Sequence, residues 1–235
     1  MLDLRPANAR GVVDYGWLRS NHSFSFGHYY DPQQMGFSDL RVINDDFVEP
    51  GYGFESHPHR NMEIFSYVLS GAMAHQDSTG VGSVIRPGDV QIMSAGRGIR
   101  HSEFNASATE PMRFLQIWIV PDRSGVEPRY QQAHVGEAER RGHLRLILSP
   151  DGAQDSLLIY QDARVYVGLF NGDEQQQFAL PENRFAYVQV ARGSLKLNGQ
   201  RLQEGDGVRV RHVQTLHFSE GQHAEVVVFD LRPHE

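Results

Sequence analysis

The chain has 235 residues, 40% hydrophobic and 22% charged, which is enough for one large β domain or two of about 115 residues each. It contains no cysteine, which excludes disulfides, thiolate zinc sites and iron–sulfur clusters, so any bound metal must be held by His, Asp or Glu. The net charge of −7 and the absence of long runs of like charge predict no direct nucleic-acid partner.

The N-terminal residues carry no recognisable targeting signal. Met-Leu-Asp-Leu-Arg-Pro has no cationic segment followed by an apolar core, which argues against a signal peptide. Nowhere do about 18 apolar residues run together, so we expect no membrane span. A cytoplasmic location is the resulting expectation.

Short predicted strands separated by turn signals fill the first half of the chain. Residues 11–18 fit a strand or a short helical turn, and 23–29 alternates aromatic and small residues as a strand does. Residues 40–44 predict another strand, and 45–53 predict a loop. Residues 62–76 predict a β-hairpin that turns at Ser70-Gly71. Further strands are predicted at 84–85, 90–93, 99–104 and 114–120.

The second half repeats this rhythm after a polar segment. Residues 121–142 contain few β-branched residues and predict a linker with one helical turn. Asn171-Gly172 and Asn198-Gly199 are hairpin signals. Strands are predicted at 144–148, 165–170, 185–190, 208–211, 216–218 and 226–229.

A weak internal repeat relates the two halves. Gly88-Asp89 and Gly205-Asp206 each precede a strand, and His101 and His217 follow at similar distances. Many short strands with such a repeat predict an all-β fold of two similar barrels in tandem. We assign 1–122 to an N-terminal metal-binding barrel, 123–142 to a linker and 143–235 to a C-terminal barrel. No His-x-His pair precedes Gly193, so we expect the second barrel to bind no metal.

Two pairs of ligand-type side chains stand out in the first half. His57 and His59, and His101 and Glu103, are each spaced i, i+2 and would point to the same face of a strand. On neighbouring strands they would place three imidazoles and a carboxylate in one pocket, a set that suits a divalent first-row transition metal. His-x-His alone is weak evidence, because twelve histidines produce such pairs by chance.

Glu63 is the alternative carboxylate. On a straight strand it would lie about 13 Å beyond His59, although a turn at Arg60-Asn61 would bring it back. We expect whichever of Glu63 and Glu103 is not a ligand to hydrogen-bond a ligand imidazole.

Other candidates have more ordinary interpretations. We expect His75 to be a surface or core histidine and His217 to be a packing residue, while His22 and His28 are candidates for the mouth of the pocket. Arg97, between two glycines, fits either a turn or a contact with an anionic substrate. We expect the barrel interior to be apolar apart from the ligands.

The first ligand segment resembles the first sequence box of the cupin superfamily. That box reads Gly-x5-His-x-His-x3/4-Glu-x6-Gly. Gly51, His57, His59 and Glu63 match it, except that seven residues separate Glu63 from Gly71.

The second ligand segment resembles the second cupin box, with departures typical of the pirin family. Ser94 stands where cupins have Pro, and two extra residues precede His101. The segments 57–60, 87–90 and 95–103 are similar to the pirin pattern. The resemblance is strong in the first half and extends to the second through its rhythm of strands and turns.

The resemblance implies a bicupin, that is, two tandem cupin (jelly-roll) β-barrels. It places the metal ligands on His57, His59, His101 and Glu103, whereas ordinary cupins use Glu63. The cofactor would be one divalent transition metal, namely Fe, Co, Ni, Cu, Mn or Zn.

Bacterial pirins similar to this chain act as quercetin 2,3-dioxygenases. The resemblance therefore implies a metal-dependent dioxygenase that opens a flavonol and releases carbon monoxide, with an aromatic small molecule and dioxygen as substrates. Glu103 would also be the base that takes the 3-hydroxyl proton. Two alternatives stay open, a metal- and redox-sensing regulator that binds a protein partner, and a cupin isomerase or lyase.

Overall fold

The structure is a computed structural model that describes residues 1–234, and most of them lie in twenty β-strands. The first twelve strands are β1 Leu2–Arg5, β2 Gly11–Asp14, β3 Leu18–His22, β4 Leu40–Val48, β5 Gly53–His59, β6 Glu63–Ser70, β7 Met73–Asp77, β8 Gly82–Ile85, β9 Asp89–Ser94, β10 Ile99–Asn105, β11 Met112–Ile119 and β12 Arg129–His134. The others are β13 Leu144–Ser149, β14 Leu157–Leu158, β15 Ala163–Phe170, β16 Gln176–Ala179, β17 Phe185–Leu197, β18 Gln200–Gln203, β19 Gly207–Val210 and β20 Thr215–Leu231. Three 3-10 turns complete the described structure, at Ala7–Ala9, Glu137–Glu139 and Ala153–Asp155.

Three sheets form the two barrels. A seven-stranded sheet, β12-β9-β6-β11-β4-β3-β2, faces a four-stranded sheet, β5-β10-β7-β8, in the first half. The second half is one nine-stranded sheet whose main order is β1-β19-β17-β20-β15-β13-β14. Apart from the short pair β13–β14, the strand pairs of residues 1–234 are antiparallel. The predicted all-β class is confirmed. Within residues 1–234, no helix has the length and apolar character needed to cross a membrane.

The largest apolar cluster joins the two halves. One face of the seven-stranded sheet carries a cross-strand row formed by Ile43, Ile117, Phe65 and Ile92. These side chains share a buried cluster with residues of the second barrel such as Phe229. Because side chains alternate along a strand, the opposite face of the same sheet is left to line the interior of the first barrel.

Two strands cross over between the halves. β1, at the start of the chain, pairs with β19 and forms an edge of the second sheet. β12 pairs with β9 over six residues and extends the seven-stranded sheet of the first half. The segment predicted as a linker therefore contains a strand, besides the 3-10 turn at Glu137–Glu139.

Several local predictions were wrong. Residues 23–29 form a turn, in which Phe26 and Tyr29 exchange backbone hydrogen bonds around Gly27 at φ +57°. For residues 11–18 the strand alternative is confirmed, since they contain β2 and the start of β3. β4 continues to Val48 through the segment predicted as a loop, because both its edges are paired.

The three predicted hairpin turns differ in outcome. Ser70-Gly71 turns the chain as predicted, but β6 pairs with β9 and β11 while β7 pairs with β8 and β10 in the other sheet. Asn171-Gly172 likewise forms a turn without a hairpin, since β15 and β16 both pair with β20. Asn198-Gly199 makes the predicted tight hairpin between β17 and β18.

Candidate metal centre

Strands β5 and β10 carry the candidate ligands. They are antiparallel neighbours in which His57 is the cross-strand partner of His101 and His59 is the partner of Ile99. The register shifts between His101 and Glu103, at a bulge. This pairing brings the two separate segments together, as the sequence predicted.

The three imidazoles converge on one point. Their ring centroids lie 4.5 Å apart for His57–His101 and 4.8 Å apart for both His57–His59 and His59–His101. The Nε2 atoms of His57 and His101 are 3.1 Å apart. Two nitrogens at about 2.0–2.1 Å from a shared metal would be roughly 3 Å apart at a right angle. The spacing therefore fits a metal ion.

The electrostatics keep the rings of His59 and His101 neutral. Burial lowers the pKa of His101 to about 2 and that of His59 to about 4. Electrostatic repulsion from His57 is the second cause in both cases. The Nδ1–H of His57 donates to the carbonyl oxygen of Glu55 at 2.7 Å, which leaves the Nε2 lone pair facing the other rings. Neutral imidazoles with inward lone pairs are the form that coordinates metals.

Glu103 provides a buried carboxylate beside them. Its Oε1 accepts a hydrogen bond of 3.0 Å from Ser66, whereas its buried Oε2 has no protein partner. Its ligand atom lies within 4.8 Å of ligand atoms of both His75 and His101. Burial raises the pKa of Glu103, since the carboxylate lacks water. An unpaired buried carboxylate oxygen is costly, and a cation would compensate it.

Glu63 lies elsewhere. Its Oε2 accepts hydrogen bonds from the Ser94 hydroxyl at 2.9 Å and from the backbone N–H of Tyr160 at 3.2 Å. It does not belong to either of the two groups of potential metal ligands found in residues 1–234, both of which include His101. The expectation that the second carboxylate hydrogen-bonds an imidazole is wrong, because Glu63 starts β6 in the other sheet.

Comparison with known proteins decides the family. The model described as pirin matches residues 4–119, and the model described as the quercetinase C-terminal cupin domain matches 146–231. A protein of Escherichia coli K12 named quercetin 2,3-dioxygenase is 45% identical over 99% of this chain and 100% of its own length. The chain belongs to the pirin family. It is therefore a bicupin.

Other relatives and solved structures agree with this membership. A putative quercetin 2,3-dioxygenase of Pseudomonas aeruginosa is 43% identical over 98% of this chain and 100% of its own length. The crystal structure of YhhW from E. coli matches with a TM-score of 0.95 at 44% identity, covering 100% of this chain and 99% of the other. The nickel(II) complex of that bacterial pirin matches with a TM-score of 0.94, at 44% identity and over 100% of both chains.

In this pirin, sequence reasoning missed the place of His75. The residue is buried, its ring centroid lies 5.4 Å from that of His101, and it is the cross-strand partner of Glu103. Its Nε2–H donates to Asp77 at 3.1 Å. The alternation of side chains along β7 places His75 on the same face as Met73 and Asp77, which are also buried. Only the pairing of β7 with β10 shows that this face lies at the site.

The remaining candidates are more ordinary. Arg97 is exposed at a turn and pairs with Glu127 at 2.6 Å, which is the simpler of its two predicted roles. His217 is 3.3 Å from the side-chain oxygen of Gln175 in the second barrel. Buried His22 and exposed His28 line a cavity in the first barrel that contains none of the candidate ligands, so their place at the mouth of the metal pocket stays a prediction.

The barrel interior is polar in its middle layer, contrary to the expectation of an apolar interior. A cross-strand row runs through His22, Asn44, Gln116, Ser66 and Gln91. Apolar clusters lie on both sides of it, one around Phe114 and Val48, the other around Ile64 and Met93. Gln116, Ser66 and Gln91 each stand alone between apolar neighbours in their own strands, so only the register reveals the row.

Gly53 lets β5 approach β10 closely, which suggests a test of the scaffold. A Cβ at Gly53 would lie 2.3 Å from the backbone oxygen of Glu103, so Gly53→Ala must push the strands apart at the bulge. We expect a loss of about 1–3 kcal/mol in the free energy of unfolding, together with weaker metal binding. Denaturant titration and metal titration would measure these.

Gly82→Ala is the matched control for this change. Gly82 also lies in a strand of the same sheet, but its added Cβ would meet only one atom, at 4.0 Å. Equal effects of the two substitutions would contradict the importance of the β5–β10 approach.

Proposed function

We propose that this chain is a metal-dependent dioxygenase that cleaves a flavonol such as quercetin at the 2,3 position and releases carbon monoxide. Its ligands would be His57, His59, His101 and Glu103. The observation that carries this proposal is the convergence of three imidazoles beside a buried carboxylate oxygen that lacks a partner. The full-length similarity to proteins named quercetin 2,3-dioxygenase supplies the reaction and its substrates.

The donor set defines the class of cofactor. Three imidazole nitrogens and one carboxylate oxygen suit a single divalent transition metal, namely Fe, Co, Ni, Cu, Mn or Zn. The nickel(II) complex of the related E. coli pirin supports this class of ion. When bound, the metal would act as a Lewis acid and a template for the substrate.

The protein side chains have distinct roles in this reaction. Glu103, when its Oε2 is not bound to the metal, would take the proton of the flavonol 3-hydroxyl on that oxygen, because Ser66 already occupies Oε1. The rings of His57, His59 and His101 would hold the ion, whose positive charge would stabilise the resulting oxyanion. Dioxygen would then add both its atoms to the opened product while one ring carbon leaves as carbon monoxide. The apolar clusters around the polar layer would exclude water from the intermediate.

Turnover with quercetin tests the proposal directly. Protein loaded with an active metal should consume flavonol and oxygen and release carbon monoxide in equal molar amounts. Loss of the flavonol absorbance would follow the reaction. Failure with iron, cobalt, nickel, copper and manganese would contradict it. Turnover of another small molecule without oxygen would select an isomerase or lyase, and a stoichiometric protein partner without oxygen consumption would select a regulator.

A carboxylate exchange tests the fourth ligand. We expect Glu103→Gln to lower metal affinity and turnover by about 10–100-fold or more, since it removes a charged donor. Glu63→Gln should leave metal content unchanged, because the Glu63 carboxylate is occupied by Ser94 and Tyr160. Elemental analysis and steady-state turnover measure both. The reverse pattern would assign the ligand to Glu63.

The proposal also assigns parts of the chain to roles. Residues 1–122, apart from β1, would form the metal-binding barrel, 123–142 would be the linker that also adds β12 to this barrel, and 143–235 would form the barrel without a metal. The cytoplasmic location, a possible protein partner and the absence of a nucleic-acid partner remain predictions from the sequence.

A further inference from the structure

A cavity of about 140 Å³ lies inside the first barrel. Exposed Tyr15 and His28 are at its rim, and buried Ser20, Asn44 and Asp46 are at its base. The turn at 23–29 contributes Phe26, Gly27 and His28 to the wall, so the segment wrongly predicted as a strand shapes this space.

The volume is that of a single aromatic ring. A cavity of about 150 Å³ engineered in another protein binds one benzene molecule. The phenyl rings of Phe26 and Phe54 line this cavity and offer apolar contact to the faces of a bound ring.

The base of the cavity has unused hydrogen-bonding capacity. Ser20 Oγ, Asn44 Oδ1 and Asp46 Oδ1 are buried without a protein partner, and their residues are only 2–3% exposed. Ser20 and Asp46 are cross-strand partners on β3 and β4, so their side chains point the same way. Buried acceptors without partners are costly, which favours a ligand or water that donates hydrogen bonds to them.

The cavity adjoins the candidate metal centre by two routes. Gln116 lines it and lies close enough to Glu103 to lower the pKa of that carboxyl, against the larger effect of burial. Phe26 contacts Trp118 edge-to-face with centroids 5.2 Å apart, and Trp118 contacts His59 in the same way at 4.9 Å. One residue, Gln116 or Trp118, therefore links the wall of the cavity to a candidate ligand.

We propose that the cavity takes the dihydroxyphenyl ring of the flavonol, with its hydroxyls donating to Asp46 and Asn44. Asp46 would then determine the preference for a hydroxylated ring over a bare one. The identity of the ligand rests on the proposed function, whereas the size and polarity of the cavity do not.

Anaerobic binding to metal-free protein tests this inference. The probes are three flavonols with two, one or no hydroxyl on the pendant phenyl ring, and the readout is Kd from quenching of tryptophan fluorescence. Because the bare ring would leave the buried acceptors of Asp46 and Asn44 without partners, we expect the dihydroxy compound to bind about 10- to 100-fold more tightly than the bare one. Asp46→Asn and Ser20→Ala should reduce this ratio, the former to about threefold or less.

Controls separate the role of Asp46 from loss of folding. Asp39→Asn also alters a buried aspartate, but one that pairs with Arg232, so the ratio should stay at its wild-type value. Thermal unfolding of each variant shows whether the barrel is intact, and Ser20→Ala carries the test if Asp46→Asn does not fold.

The outcomes distinguish this inference from the proposed function. Equal affinities for the three flavonols in the wild type, no binding of any of them, or an unchanged ratio in both variants would overturn the ring site. The wild type could discriminate among the three flavonols, and lose this discrimination in Asp46→Asn, yet show no turnover with any metal. That result would support the ring site and contradict only the proposed reaction.

Discussion

Replacing His101 with alanine is expected to remove the metal and the activity together. His101 is 2% exposed and belongs to both groups of potential metal ligands found in the described residues. Its loss therefore leaves neither group complete. Changes to residues that only orient a ligand already cost about 10–100-fold in affinity or activity. We therefore expect a loss of more than about 100-fold in both. Elemental analysis and quercetin turnover of the purified variant would measure it.

His217→Ala is the control for His101→Ala. His217 occupies the corresponding place in the sequence repeat, yet it lies in the second barrel beside Gln175. It should keep wild-type metal content and turnover. Full metal stoichiometry in His101→Ala would contradict the assigned centre, even if activity were lost.

A second large effect is expected where the two barrels meet. Arg140 Nη1 donates to Tyr67 Oη at 2.7 Å and to Glu225 Oε1 at 3.1 Å, and Tyr67 Oη donates to the same oxygen at 2.6 Å. Glu225→Ala would leave a largely buried guanidinium and a buried hydroxyl without their acceptor. Breaking such a pair from one side costs about 3–5 kcal/mol. Denaturant unfolding monitored by circular dichroism would show this loss.

The exposed pair Lys196–Glu220 supplies the comparison. Its atoms are 2.6 Å apart, but it lies in water, where ion pairs contribute little to stability. Glu220→Ala should leave the unfolding midpoint near that of the wild type. If Glu225→Ala were equally mild, the buried network would not hold the barrels together.

The geometry of the candidate metal centre could largely be predicted, because neighbouring residues in the sequence determine it. His57 and His59 share a face by spacing alone, and two such pairs needed only one correct strand pairing to meet. His75 was missed because it reaches the site through the register of β7 against β10. His75 and its cross-strand partner Glu103 are far apart in the sequence, and no local pattern predicts that register.

The fold was predictable in class but less so in its connections. Phe24 and Phe26 alternate as in a strand, yet Phe24 enters the cluster between the barrels and Phe26 lines the cavity, so the chain turns at Gly27. Ser70-Gly71 marked a real turn, but a turn does not specify its pairing. The strands on either side joined different sheets, since each closes one side of the same barrel.

The pairing of β1 with β19 has a consequence for how the protein is made. Arg5 leaves the ribosome about 200 residues before its partner Gly207. At about 5–20 residues per second, the first strand waits roughly 10–40 s for the edge that receives it. During that interval its backbone groups are open to other nascent chains, so translation speed and chaperone access would govern the yield of folded protein.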